Sequence, residues 1–313
     1  MNVVEIADLS KTYDKKSWAL DKLSLSIKEG EIFGIFGPNG SGKTTTVRLL
    51  NGVLDPSAGT ASILGMSITS QGPEIRAQCG VMTETAAAYE YLSARENLQF
   101  FGMLHQMDDQ NISKRSDYLL SLLGLCEAEH RPLKTFSTGM RKKLLLAISM
   151  LHKPRLIFLD EPTSGLDPEA SKNVNDLIRT LAKKEGVTVF LCTHQLKYAE
   201  ELCSVFGFLK EGRLLACGRF EELQAKYDTH ITLEIRGKNL PKNLEFVQES
   251  DGVFRRDIQA FEDAGEIIRT IVQGGGTIFE ARQIKASLED LYFSIQKRTD
   301  YAPNPLGNHQ EGH

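Results

Sequence analysis

Cysteine is sparse in this 313-residue chain: Cys79, Cys126, Cys192, Cys203 and Cys217 are all there are, and no two form a C-x-x-C pair. That spacing argues against a zinc ribbon or a dithiol redox motif and suits buried thiols in a reducing compartment. Long apolar runs are also missing. The richest, residues 144–151, falls far short of the ~18 residues a membrane-crossing helix needs. No charge of one sign dominates: 37 Lys+Arg stand against 41 Asp+Glu, a net of −4. The near-balance gives no support for nucleic-acid binding or for an acidic tail. The opening MNVVEIADLS has no basic segment followed by an apolar one, so no secretory signal is expected. What is present is ordinary for a globular protein, with 41% hydrophobic and 25% charged residues. The expectation is a cytosolic chain of one large or two modest domains, at roughly 100–200 residues each.

Up to about residue 218, strand-like and helix-like segments alternate, the pattern of an α/β domain. Residues 31–36 (EIFGIF), 156–159 and 187–192 are short apolar runs of the kind buried on both faces of a parallel sheet. Each ends in polar or Gly-rich residues, and ligands of open α/β sheets bind at that C-terminal edge. Residues 85–150 read as a helical insertion, with apolar residues three and four apart in 93–104 and 113–125. After Gly218 the composition shifts. Segments 231–235 and 277–281 alternate like strands, and 264–273 and 287–297 read as helices, so 219–298 is expected to form a small α+β module. The polar, Pro- and Gly-containing 299–313 is expected to be a disordered tail.

Gly37-Pro38-Asn39-Gly40-Ser41-Gly42-Lys43-Thr44 matches G-x-x-x-x-G-K-[ST], after a strand-like run and before a helical one that continues with Thr45. Glycines let successive backbone N–H groups converge on phosphate oxygens, and the helix start adds its positive end. In such a loop Lys43 neutralises the β- and γ-phosphates and Thr44 offers a hydroxyl to Mg²⁺. Leu156–Leu159 then runs into Asp160 and Glu161. Asp160 is expected to hold Mg²⁺, and Glu161 to polarise an attacking water. These elements do not separate adenine from guanine, because both nucleotides carry the same triphosphate.

Phe136-Ser137-Thr138-Gly139-Met140 begins a helix about twenty residues before Asp160. Ser137 reads as an N-cap, and a capped, Gly-containing helix start is also an anion site. With Ser164-Gly165-Leu166-Asp167 and Thr193-His194 following in order, residues 3–218 resemble the ATP-binding cassette (ABC) ATPases. The resemblance implies a P-loop NTPase fold with a RecA-like core, an antiparallel β subdomain and the helical insertion. It implies ATP and Mg²⁺ as ligands. It makes Ser137 and Gly139 signature donors to γ-phosphate, Asp167 the D-loop aspartate and His194 the switch histidine. Asp167 reads equally as a helix N-cap before Pro168. Tyr13, 24 positions before Gly37, stands where the family has an aromatic that stacks on adenine, and Trp18 competes for that place. Two departures stand out. Thr138 and Met140 replace the signature's first Gly and its Gln, and Glu84 replaces the Q-loop glutamine, where a carboxylate can still bind Mg²⁺ or its water.

By the same resemblance two cassettes pack head to tail and enclose each ATP between the P-loop of one and the signature of the other. Glu161 and His194 are both present, so a catalytically competent homodimer is expected. Residues 95–101, the KYAEELC stretch at 197–203 and SLEDLYF at 287–293 resemble segments of the ABC-2 type exporter group. That likeness implies an ATPase on the cytoplasmic face of the cell membrane, coupled to a permease that is a separate chain, with Tyr89, Tyr91 and Leu92 as contact candidates. A soluble ABC ATPase without a permease, or an ATP-gated regulatory subunit with weak hydrolysis, are the alternatives.

Overall fold

The computed structural model describes residues 1–84, 88–227, 231–258 and 263–300, without the side chains of Tyr198, Lys242, Thr299 and Asp300. The start of the expected insertion, at 85–87, and residues 301–313 of the expected tail lie outside the described residues. The chain divides into two compact units, Met1–Arg219 and a second that begins at Phe220.

In the first unit the strands are β1 (Asn2–Thr12), β2 (Trp18–Lys28), β3 (Ile32–Phe36), β4 (Ala58–Ile63), β5 (Met66–Ser67), β6 (Cys79–Met82), β7 (Leu156–Asp160), β8 (Thr188–Thr193), β9 (Val205–Lys210) and β10 (Arg213–Gly218). The helices are α1 (Lys43–Leu50), α2 (Gly72–Gln78), α3 (Ala94–Leu104), α4 (Asp109–Leu122), α5 (Thr138–Met150), α6 (Pro168–Glu185) and α7 (Leu196–Leu202). Among the described residues the central sheet has the order β10-β9-β3-β8-β7-β6. Strands β9, β3, β8, β7 and β6 run parallel, and β10 is antiparallel to β9. A parallel strand covered on both faces has no polar side to alternate with, which is why β7 and β8 are buried at every position. Phe33, Phe190 and Phe158 knit β3, β8 and β7 together, with ring centroids 5.1 and 5.4 Å apart.

The antiparallel sheet, ordered β2-β1-β4-β5, turns Leu9, Leu23 and Ile63 into the same core as Phe33, Ile35, Val47 and Leu50. The helical segment is fixed by local signals and by ion pairs, among them Arg95 with Asp117 and Glu129, and Arg115 with Glu185. Ser93 and Glu96 form a reciprocal capping box at the start of α3. Arg115 of α4, only 7% exposed, donates to both carboxylate oxygens of Glu185 at 3.0 and 2.9 Å and to the carbonyl of Met150 at 3.0 Å. α4 is thereby tied to the ends of α5 and α6.

The second unit contains α8 (Phe220–Tyr227), β11 (Ile231–Lys238), β12 (Val247–Ser250), β13 (Val253–Ile258), α9 (Asp263–Gln273), β14 (Thr277–Ile284) and α10 (Leu288–Asp300). Its antiparallel sheet has the order β12-β13-β11-β14. Ile267 and Ile271 of α9 pack on Leu233, Ile235 and Ile258. Strands β11 and β14 extend past the expected 231–235 and 277–281. The β12–β13 hairpin has no counterpart in the sequence reading, because β12 is exposed at every position and shows no apolar alternation.

Candidate nucleotide-hydrolysis site

The site is assembled along the C-terminal edge of three adjacent parallel strands. In register, Phe36 of β3 lies beside Thr193 of β8, and Cys192 of β8 beside Asp160 of β7. The residues that follow each strand, Gly37, His194 and Glu161, are thereby brought to one edge. Two glycines shape the loop from β3 into α1. A side chain at Gly37 would meet the carbonyl oxygen of Leu209 at 2.1 Å, and Gly42 takes φ +109 against the carbonyl of Ala19.

A cavity of about 340 Å³ opens on this loop, lined by Ala19, Asn39, Gly40, Gly42, Lys43, Thr44, Thr45, Glu84, Asp160 and Glu161. Lys43, 7% exposed, folds back over the loop and donates to the carbonyls of Gly37 (2.7 Å) and Pro38 (3.1 Å). It thus rests beside the loop's curl, within the reach of any phosphate seated there. Ser41 is buried and its N–H donates to Pro38, which closes the turn.

The hydroxyl of Thr44 donates to Asp160 at 2.8 Å. Burial pushes the Asp160 carboxyl above its ordinary range, and the Thr44 hydrogen bond opposes that push. A desolvated carboxylate beside a hydroxyl, with Glu84 on the same cavity wall, is an all-oxygen donor set that fits Mg²⁺. Among the described residues no group of three or more His, Cys, Asp or Glu side chains could hold a metal ion by itself.

Glu161 is the most constrained side chain of the site. It is 5% exposed and sits at φ 49, a left-handed conformation costly for a non-glycine residue. One carboxylate oxygen accepts from the Thr193 hydroxyl at 2.9 Å. The other accepts from the His194 backbone N–H at 3.0 Å and lies 2.7 Å from His194 Nδ1. The Glu161 N–H donates to Cys192 at 2.8 Å. The strained peptide is over-determined by β8, which holds the carboxylate toward the cavity.

Tyr13 stands at the rim, 61% exposed, with its hydroxyl 3.3 Å from that of Thr45 and the Lys11 ammonium 5.6 Å from its ring centroid. Ser137 caps α5 and accepts from the Met140 N–H at 3.2 Å. Asp167 caps α6 and accepts from the Ala170 N–H at 2.8 Å. A methyl built on Gly139 would lie 3.9 Å from Leu166 and Ala170, so these two helix starts are neighbours. Ser137, Gly139 and Asp167 do not line the cavity. The structure therefore gathers the P-loop, Glu84, Asp160, Glu161 and His194 into one site and leaves the signature and D-loop residues on a separate, solvent-facing part of the unit. Two residues that touch Glu161 escaped the sequence reading. Thr193 was seen only as part of the Thr193-His194 pair. Lys142 was missed, although it lies on the same α5 stripe as buried Leu146, Ser149 and Met150, where a lysine is out of place.

A profile of the family described as ABC transporter matches residues 20–164. The bacitracin transport ATP-binding protein BcrA of Bacillus licheniformis is 30% identical over 94% of this chain and 97% of its own length. The daunorubicin/doxorubicin resistance ATP-binding protein DrrA of Streptomyces peucetius is 37% identical over 73% of this chain and 68% of its own. Among solved structures, cbiO1 of Clostridium perfringens, part of an ABC transporter complex, aligns with a TM-score of 0.65 and 26% identity over 72% of this chain and 91% of that one. This chain belongs to the ABC transporter ATP-binding proteins and is an ATPase.

Proposed function

We propose that the chain is the ATP-hydrolysing subunit of an exporter, working as a head-to-tail homodimer on a separate ABC-2 type permease at the cytoplasmic face of the cell membrane. The observation that carries the catalytic part is the Glu161 carboxylate, held by Thr193 and His194 at the edge of the P-loop cavity. ATP lies with its base on Tyr13 and its phosphates on the backbone of residues 37–45. Lys43 leaves the carbonyls of Gly37 and Pro38 for the phosphates. Thr44, Asp160 and Glu84 would hold Mg²⁺, which would supply charge neutralisation to the phosphates. Glu161 orients and deprotonates the attacking water. His194 keeps the Glu161 carboxylate aimed and meets the γ-phosphate.

The exposed starts of α5 and α6 favour the dimer. Ser137 and Gly139 carry donors at a helix N-terminus but do not line the cavity of their own chain, so a second copy supplies them across the nucleotide. Two helix N-termini then face one polyanion from opposite sides. No described helix is long and apolar enough to cross a membrane, and the relatives named for bacitracin transport and daunorubicin resistance support export as the coupled task. Tyr89 and Tyr91, 51% and 81% exposed at the entry to α3, are the residues proposed to meet the permease. Co-expression with a candidate ABC-2 type permease tests this. The pair should co-purify in detergent, and Tyr89→Ala/Tyr91→Ala should separate it without loss of ATP binding.

A further inference from the structure

Lys142 is a cation in an unusual place. It follows the Ser137–Met140 segment by half a turn of α5, is 8% exposed, and its ammonium donates to the backbone carbonyl of Glu161 at 3.2 Å. That carbonyl belongs to the residue held at φ 49 and also accepts from the Ser164 N–H at 3.2 Å. Burial lowers the Lys142 pKa, and the charges of Glu84, Glu161 and Asp160 oppose that shift. The cavity's own lysine is Lys43, which faces the loop carbonyls. Glu84, Asp160 and Glu161 line that cavity beside Lys43, and Lys142 lies behind it on the Glu161 carbonyl.

We infer that Lys142 is a positioning residue for hydrolysis: it anchors the left-handed peptide that carries Glu161 and offsets the charge of Glu84 on the wall of the same cavity. The inference rests on Glu161 as the general base. An isolated buried ammonium is costly, and here it is met by the backbone carbonyl of Glu161 at 3.2 Å. Because Lys142 acts on the carbonyl of Glu161 and not on ATP, its loss lowers turnover and leaves nucleotide affinity nearly unchanged.

The test is ATPase kinetics on the full-length protein carrying Lys142→Gln, Lys142→Arg, Glu84→Gln and the Glu84→Gln/Lys142→Gln pair, with Glu161→Gln as a separate control. Lys142→Gln should lower kcat about tenfold or more while KM for MgATP changes less than about threefold. Lys142→Arg should retain most of the turnover. Removal of Lys142 should cost at least about threefold less in the Glu84→Gln background than with Glu84 intact, since only coupled residues show such a difference. An equal loss in both backgrounds, or wild-type turnover in Lys142→Gln, would overturn the proposal. Should Lys142→Gln fail to fold, recovery of folding in the double variant supports the pairing and its failure refutes it. Wild-type hydrolysis by Glu161→Gln would instead remove the base assignment on which the proposal stands.

Discussion

His194 meets Glu161 twice through one oxygen: its backbone N–H donates to Oε1 at 3.0 Å, and its Nδ1 lies 2.7 Å from the same atom. The imidazole is half exposed and the carboxylate is 6% exposed, so one ring bridges solvent and a buried base. With Thr193 on the other oxygen, neither carboxylate atom is free to rotate away from the cavity. Glu161→Gln should therefore bind ATP within a few-fold of wild type and hydrolyse it about 10²–10⁴-fold more slowly. His194→Ala leaves the backbone donor in place and should fall between the two. Single-turnover hydrolysis separates these variants from one another.

Lys43 and Thr44 predict a different kind of loss. Lys43→Met removes a cation from the phosphate-facing loop, and ATP affinity should fall by about tenfold or more, the scale of a charge-assisted hydrogen bond. Thr44→Val keeps the shape but leaves Asp160 without its 2.8 Å donor. Its defect should appear as a higher Mg²⁺ requirement, read by titrating Mg²⁺ at fixed ATP.

The Arg115–Glu185 pair predicts a stability effect far from the nucleotide. The two side chains are 7% and 16% exposed. Arg115→Met would leave the Glu185 carboxylate without its cation and take one donor from the carbonyl of Met150, at a cost of about 3–5 kcal/mol. Arg115→Met/Glu185→Met should recover much of it, as measured by urea unfolding.

His105 and His152 stack with ring centroids 3.8 Å apart. His152 Nε2 lies 3.1 Å from the carbonyl of Cys79, so Nε2 carries the proton and Nδ1 is the neutral, unpaired nitrogen. Burial lowers the His152 pKa from 6.5 to about 4, and the neighbouring His105 ring adds to the shift. The unfolded chain takes up a proton near pH 6.5 that the folded chain refuses until about pH 4. This contribution is full above pH 6.5 and is lost as pH falls through that window, by up to roughly 3 kcal/mol. His152→Phe should flatten the acid limb of a stability-versus-pH curve.

The parallel core was legible because its strands are buried on both faces and read as unbroken apolar runs, and the P-loop was legible because its glycines and lysine sit at fixed spacing. The helical segments at α3 and α9 showed their periodicity plainly. What could not be read has physical reasons. β12 is exposed throughout and carries no pattern. The left-handed φ of Glu161 is imposed by β8 and leaves no mark on residue type. Glu84 was recognised as an anomaly in the chain, but its counterweight, Lys142, lies far along the sequence and becomes visible only when α5 is packed beside the site. Asp167 is seen as a helix cap, and its cap geometry leaves its proposed D-loop role unread.

Light scattering of the Glu161→Gln variant with MgATP and with MgADP tests the central claim, that ATP is held between two copies of this chain and broken by Glu161. The account predicts a particle of twice the monomer mass with ATP and a monomer with ADP, and loss of the ATP-bound dimer when Ser137 is changed to Arg. A monomer at saturating ATP, or a dimer indifferent to nucleotide, would contradict it.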